Sequence, residues 1–292
     1  MKIAVIGAEG QVGRDACAEF ERCGDEVHGL NHAQLEIGSL DSVQAVLSQV
    51  RPDVVVNTAA FHQVEHCELD PAKAFAINAC GARNVAKVAA TIDALLIHIS
   101  TDYVFDGGKS TPYEETDLPR PLNAYGNSKL AGEYFVRTLS PRYFVLRTSA
   151  LYGKHPCRAK GGLNFVELMC KLAREGKEIK VVDSECVTPT ATADLAKQIV
   201  ELSRCDSFGL YHATAEGSCS WYEFAREIFA LTGTEARLTI ANAADFPSKV
   251  PRPHYSVLEN KGLKSIRRNV FRPWKEGLRD YLTVTNREVF AA

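Results

Sequence analysis

The first half of the chain alternates short aliphatic and β-branched runs with longer stretches whose apolar residues recur every three or four positions. KIAVIG (2–7), EVHGL (26–30), DVVVNTA (53–59), LLIHIS (95–100) and YFVLRTS (143–149) read as strands. Between them, VGRDACAEFERCG (12–24), SLDSVQAVLSQV (39–50), AKAFAINACGARNVAKVAA (72–90) and SKLAGEYFVRTL (128–139) read as helices with one apolar face. Strand and helix in regular turn predict βαβ units, and so a doubly wound α/β fold with a parallel sheet covered on both sides. Beyond about Leu151 the order loosens. There EIKVV (178–182), ADLAKQIVELSR (193–204) and LYHAT (210–214) suggest a further sheet layer. SWYEFAREIFALTG (220–233) and the proline-rich FPSKVPRP (246–253) suggest a smaller C-terminal substrate domain.

Composition narrows the partners. A chain of 292 residues, 46% hydrophobic, can bury a large core, and a net charge of -2 with scattered Lys and Arg leaves neither a basic stripe for nucleic acid nor a polybasic membrane anchor. No run approaches the roughly 18 apolar residues of a membrane span. The opening MKIAVIG runs straight into a glycine turn, so it reads as a buried strand and not as a leader. Nine cysteines, unevenly spaced and without a CxxC pair, are expected to be buried thiols in a reducing cytoplasm. The expected partner is a small molecule, taken up by a monomer or homodimer.

The candidate chemistry starts at GAEGQVG, where Gly7, Gly10 and Gly13 stand three apart between the first strand and a helix beginning near Gln11. Glycines there allow a tight turn and let N–H groups at the helix N-terminus approach a pyrophosphate, which makes residues 1–150 a dinucleotide-binding Rossmann domain. The remainder, 151–292, is then mainly substrate-binding, with segments near 182–215 returning to the Rossmann sheet. The second strand ends at Asn31 and His32, with neither an acid for ribose hydroxyls nor a dedicated arginine for a 2'-phosphate, so NADPH and NADH should both bind with weak discrimination. The fourth strand delivers STDYVFDG, placing Ser100 and Thr101 at the carboxyl edge of the sheet. In NAYGNSK, Tyr125 and Lys129 stand four apart, on one face if the segment is helical. His62, Glu65 and His66 lie close together, but on a loop or helix start without further ligands they predict no metal site, and a magnesium ion at an interface has no sequence support.

Glycine loop, strand-end Thr101 and Tyr125-x-x-x-Lys129, in that order, resemble the extended short-chain dehydrogenase/reductase superfamily. Within it, GAEGQVG, NTAAFHQVEHCE, STDYVFDG, YGNSKLAGE, RTSALYG, NFV, TPT, GLYHATAEGSCSWYEFA and RPHYSVLENKGL resemble the dTDP-4-dehydrorhamnose reductase family across nearly the whole chain. The resemblance implies an NAD(P)H-dependent oxidoreductase that reduces a 4-keto nucleotide sugar, dTDP-4-dehydro-L-rhamnose to dTDP-L-rhamnose, for cell-surface polysaccharide. It implies Tyr125 as proton donor, Lys129 as the charge that lowers the phenol pKa and holds the nicotinamide ribose, and Thr101 as a donor to the substrate oxygen. Gly7, Gly10, Gln11, Val12, Asn31, Ala59, Ala60 and Asn78 would join Tyr125 and Lys129 around the cofactor. Val104, Phe105, Ala150, Asn164 and Arg252 would contact substrate, Arg252 as a diphosphate ligand. Ala150, Ser184, Glu185, Val187 and Tyr255 depart from the family pattern in its sugar-nucleotide pocket. Alternatives of other classes are a sugar-nucleotide epimerase or dehydratase of the superfamily, and a non-catalytic regulatory subunit.

Overall fold

A computed structural model describes residues 1–157, 162–242, 245 and 250–289; residues 246–249 of the proline-rich segment lie outside them. The first half runs β1 (Lys2–Ile6), α1 (Gln11–Arg22), β2 (Glu26–Leu30), α2 (Leu40–Val50), β3 (Val54–Asn57), α3 (Val64–Leu69), α4 (Pro71–Phe75), α5 (Ala82–Thr91), β4 (Leu95–Thr101), α6 (Ala124–Leu139) and β5 (Tyr143–Thr148). There follow β6 (Leu151–Tyr152), α7 (Phe165–Arg174), β7 (Glu178–Val181), β8 (Cys186–Val187), β9 (Thr190–Ala191), α8 (Thr192–Leu202), β10 (Gly209–His212) and β11 (Cys219–Ser220). The last are α9 (Trp221–Thr232), β12 (Arg237–Ile240), α10 (Lys261–Ser265) and α11 (Trp274–Val289).

Six parallel strands form the central sheet in the order β10-β5-β4-β3-β1-β2. Because side chains alternate across a strand, Ile3, Val5, Val54, Val56, Leu95, Ile97, Phe144 and Leu146 face one layer, with Phe20 of α1 and Ile199 of α8. Ala4, Ile6, Val55, Leu96 and Val145 face the other, with Leu47 of α2, Val85 of α5 and Val136 of α6. A further core gathers Met169, Phe224, Ile228 and Leu278 from α7, α9 and α11. From β1 the chain moves one way to β2 and then the other way to β3, and that reversal opens a crevice at the carboxyl ends of the strands.

Three expectations need correction. The apolar periodicity of 72–90 is not one α-helix, because residues Ala76–Gly81 form a π-helix between α4 and α5. LYHAT supplies no separate layer: Gly209–His212, within the 182–215 stretch expected to return to the Rossmann sheet, is the edge strand of the central sheet beside β5, whereas Glu178–Val181 pairs with β12. The cysteines are all free, yet Cys67 and Cys219 alone are buried and Cys23 and Cys80 are exposed, Cys23 in the turn after α1 and Cys80 in the π-helix.

Candidate active site

The glycine loop is built for close backbone approach. Gly7 has φ +82°, and a Cβ there would lie 2.7 Å from Thr58 Oγ1, while one at Gly13 would lie 2.3 Å from Gly7 O. Gly10 caps α1 without a side-chain hydrogen bond, which leaves the first N–H groups of a 12-residue helix pointing at the crevice. Gln11 Nε2 reaches across to Gly153 O (3.2 Å) and His155 O (2.7 Å), tying the loop to the segment after β6. Gly10, Gln11, Val12 and Ala60 line a cavity of about 470 Å³; Gly7, Asn31 and Ala59 stand outside its wall. Asn78 sits in the π-helix, buried. It accepts from Phe61 N (2.8 Å) and donates to Phe61 O (2.8 Å) and Ser128 Oγ (3.0 Å), so it pins the chain after β3 to α6.

Asn123 starts α6 by accepting from Gly126 N (2.9 Å), so Tyr125 falls in the first turn with Lys129 one turn on. Gly126 is fitted to the place, since a Cβ there would meet Tyr103 O at 2.2 Å. Tyr125, Lys129 and Thr101 all line the cavity. Lys129 Nζ donates to Ile99 O (2.6 Å). Burial pulls its pKa down to about 8, against the carboxylate of Glu133, which raises it. Glu133 in turn forms a fully buried two-point pair with Arg147 (2.9 and 2.7 Å) and accepts from Ser100 Oγ (2.6 Å).

The Tyr125 phenol differs from expectation. Burial pushes its pKa up, and the group that offsets this is Thr101, through a hydrogen bond, and not Lys129, whose ammonium is turned to Ile99 O. Tyr125 is therefore a protonated phenol, the state a proton donor requires. Thr101 Oγ1 accepts from Tyr103 N (3.1 Å) and is bonded to Asp102 Oδ1 (3.0 Å). Asp102 Oδ2 accepts from Ser149 Oγ (2.8 Å) and Ser256 Oγ (2.6 Å). Burial raises the Asp102 carboxyl and these three hydroxyls lower it.

The substrate side is corrected at two positions. After β4 the chain makes one 3-10 turn at Asp102–Val104, which carries Val104 and Phe105 inward. Both are fully buried against Tyr113 and Leu258, Phe105 stacked on Tyr113 at 4.1 Å, and neither touches the cavity. Asp102 and Tyr103, in the same motif, line it instead, as do Ser149 and Ser256, which sequence reasoning missed. Thr148 Oγ1 also lines the cavity, buried with no partner among the described residues. Ala150 lies on the wall with φ 44°. Asn164 reaches the cavity, but its amide is committed to Gly153 O (2.9 Å), Tyr281 OH (3.0 Å) and the cap of α7 through Glu167 N (3.1 Å). Arg252 lines the mouth and pairs with Glu65 of α3, while His66 bonds Gln63. Phe165, Trp221 and Phe224 form an aromatic wall, the first two rings 4.7 Å apart.

A family model described as "RmlD substrate binding domain" matches residues 1–287. The chain is 39% identical over 283 residues to the spore coat polysaccharide biosynthesis protein SpsK of Bacillus subtilis, covering 96% of each. A solved dTDP-4-dehydrorhamnose reductase from Clostridium acetobutylicum superposes with a TM-score of 0.93 at 39% identity, over 98% of this chain and 100% of that one. Another, from Bacillus anthracis in complex with NADP, gives 0.91 at 36% identity over 97% and 98%.

Proposed function

Because the chain belongs to the dTDP-4-dehydrorhamnose reductase family, we propose that Tyr125, Thr101 and Lys129 carry the NAD(P)H-dependent reduction of a dTDP-linked 4-keto sugar. One observation supports the site most: a buried phenol, a strand-end threonine hydroxyl and a lysine ammonium share one cavity with the glycine loop.

The residues present fit a nicotinamide dinucleotide. Gly7 and Gly13 are packed too closely for side chains, and the uncapped N-terminus of α1 offers N–H groups to a pyrophosphate. Lys129 directs one donor to Ile99 O and keeps two for ribose hydroxyls. When bound, the cofactor supplies the hydride that arrives at the carbonyl carbon.

The chain's own residues do the rest. Tyr125 gives its phenolic proton to the carbonyl oxygen, which becomes the product hydroxyl, while Lys129, one turn further along α6, holds the ribose. Thr101 orients that oxygen. When Asp102 carries a proton it becomes the donor in its bond to Thr101, freeing the threonine hydrogen for the substrate. Arg252 exchanges Glu65 for the diphosphate at the mouth of the cavity.

No helix among the described residues is long and apolar enough to cross a membrane. Nine free thiols support a cytoplasmic site of action. The test is NADPH oxidation by purified protein with dTDP-4-dehydrorhamnose, beside Tyr125→Phe. Loss of the hydroxyl should lower kcat by about 10²–10⁴-fold with cofactor binding retained. A folded variant keeping more than about a tenth of parental kcat would remove Tyr125 from the role.

A further inference from the structure

Glu9 lies inside the glycine loop, between Gly7 and Gly10, and is exposed. The loop is hung on the end of β2, with Gly7 N and Ala8 N both donating to Leu30 O (2.9 and 3.2 Å). The next residue of β2's edge, Asn31, is pinned from three sides. Its Oδ1 accepts from Ala33 N (3.0 Å) and Gln34 N (3.1 Å), and its backbone N–H donates to Gln34 Oε1 (2.9 Å). The remaining arm of this fixed asparagine, Nδ2, donates to Glu9 Oε1 at 3.1 Å. A carboxylate is thereby held at the carboxyl end of β2 by a residue from a different turn.

That place has a known chemical meaning in a doubly wound sheet. The adenosine ribose lies there, an acidic side chain takes its hydroxyls, and a 2'-phosphate needs a cation instead. Strand β2 itself ends in Asn31 and His32, and His32 Nδ1 faces Glu36 Oε2 at 3.0 Å, which adds a second carboxylate to the neighbourhood. The guanidinium bonded to this loop is Arg14, whose Nε donates to the backbone oxygen of Glu9 (3.3 Å). A 2'-phosphate would have to recruit the other Arg14 donors with the Glu9 carboxylate beside it.

We propose that Glu9, supplied by the glycine loop and not by β2, is the acid that reads the adenosine ribose, and that it biases this site toward NADH over NADPH. The inference rests on the nicotinamide site described above and adds to it a residue that sets cofactor choice. An unphosphorylated ribose offers two hydroxyls, and a carboxylate accepts both. A 2'-phosphate replaces one donor with a dianion, so the same carboxylate then repels it.

Equilibrium binding of NADH and of NADPH, followed by nicotinamide fluorescence without substrate, tests this on the parent, Glu9→Gln and Glu9→Lys. Circular dichroism melts accompany each titration, since an exposed loop side chain should leave the fold intact. The parent should bind NADH at least about tenfold more tightly. Glu9→Gln should narrow that ratio by about fivefold or more, chiefly by tightening NADPH, and Glu9→Lys should invert it. Raising the salt should also narrow the parental ratio, because the repulsion is between exposed charges. A parent that binds the two within about threefold, or a ratio unmoved in Glu9→Gln, overturns the assignment of Glu9 and leaves the nicotinamide site standing. A folded parent that binds neither overturns both.

Discussion

Replacing Lys129 with methionine should abolish turnover and yet, at neutral pH, cost the fold nothing. Lys129 is 2% exposed, and burial brings its pKa from 10.5 to about 8. A depression of that size means the charged form is disfavoured in the folded chain by about 3 kcal/mol. Below pH 8 the folded and unfolded chains both hold the proton, so the folded state bears the whole cost. From about pH 8 to 10.5 the folded chain sheds the proton while the unfolded chain keeps it, and stability rises with pH; above that window the cost is gone. Methionine has no charge to bury, but it leaves Ile99 O without the Nζ donor at every pH, a loss of about 1–3 kcal/mol. Lys129→Met should therefore match or exceed the parent by up to about 2 kcal/mol at pH 7, and fall about 1–3 kcal/mol below it near pH 10.5. Urea unfolding of both proteins at the two pH values measures this as a shift in midpoint at constant slope. If the difference between them moves by less than about 1 kcal/mol across the window, burial does not tax this ammonium and the account of its pKa is wrong.

Two further outcomes follow from the same packing. Glu133→Gln strands the Arg147 guanidinium in the core and should destabilise the chain by about 3–5 kcal/mol, seen as a lowered melting temperature; a loss under about 1 kcal/mol would show that the pair is not desolvated. Gly13→Ala drives a methyl group against Gly7 O and Ala8 Cα, at 2.3 and 2.8 Å before relaxation, so the loop must open. Calorimetric titration should show cofactor affinity reduced by more than about tenfold with a stability loss of about 1–3 kcal/mol, and unchanged affinity would mean that the loop does not hold the pyrophosphate.

The parts of this molecule legible in the sequence are those set by local period and turn chemistry. Strands β1 to β5 follow from apolar runs broken by glycine or polar turns, and the start of α1 at Gln11 follows from the glycine loop. The spacing of Tyr125 and Lys129 works because Asn123 caps the helix where it does. The π-helix at Ala76–Gly81 was hidden, because one extra residue per turn hardly disturbs an apolar pattern while it moves Asn78 around the axis. Val104 and Phe105 were misplaced for a related reason: a single 3-10 turn after Thr101 exchanges which side chains face the cavity. Ser256 was beyond reach, since its bond to Asp102 spans 154 residues and depends on how the C-terminal segments close over the sheet. The Tyr125 pKa could not be read either, as burial and the direction of Lys129 Nζ are properties of the packed molecule.

The Ser256 bond has a consequence in time as well as in space. A nascent chain that has just released residue 150 already holds Thr101, Tyr125 and Lys129, together with the five strands that order them. It lacks the second hydroxyl that anchors Asp102, and Asp102 is the group to which Thr101 is bonded. Contacts that close so long a loop form late, after the local βαβ units have condensed. Competence for chemistry is thus the last property this polypeptide acquires during synthesis, and a chain halted short of its final forty residues would be ordered in its first half but idle.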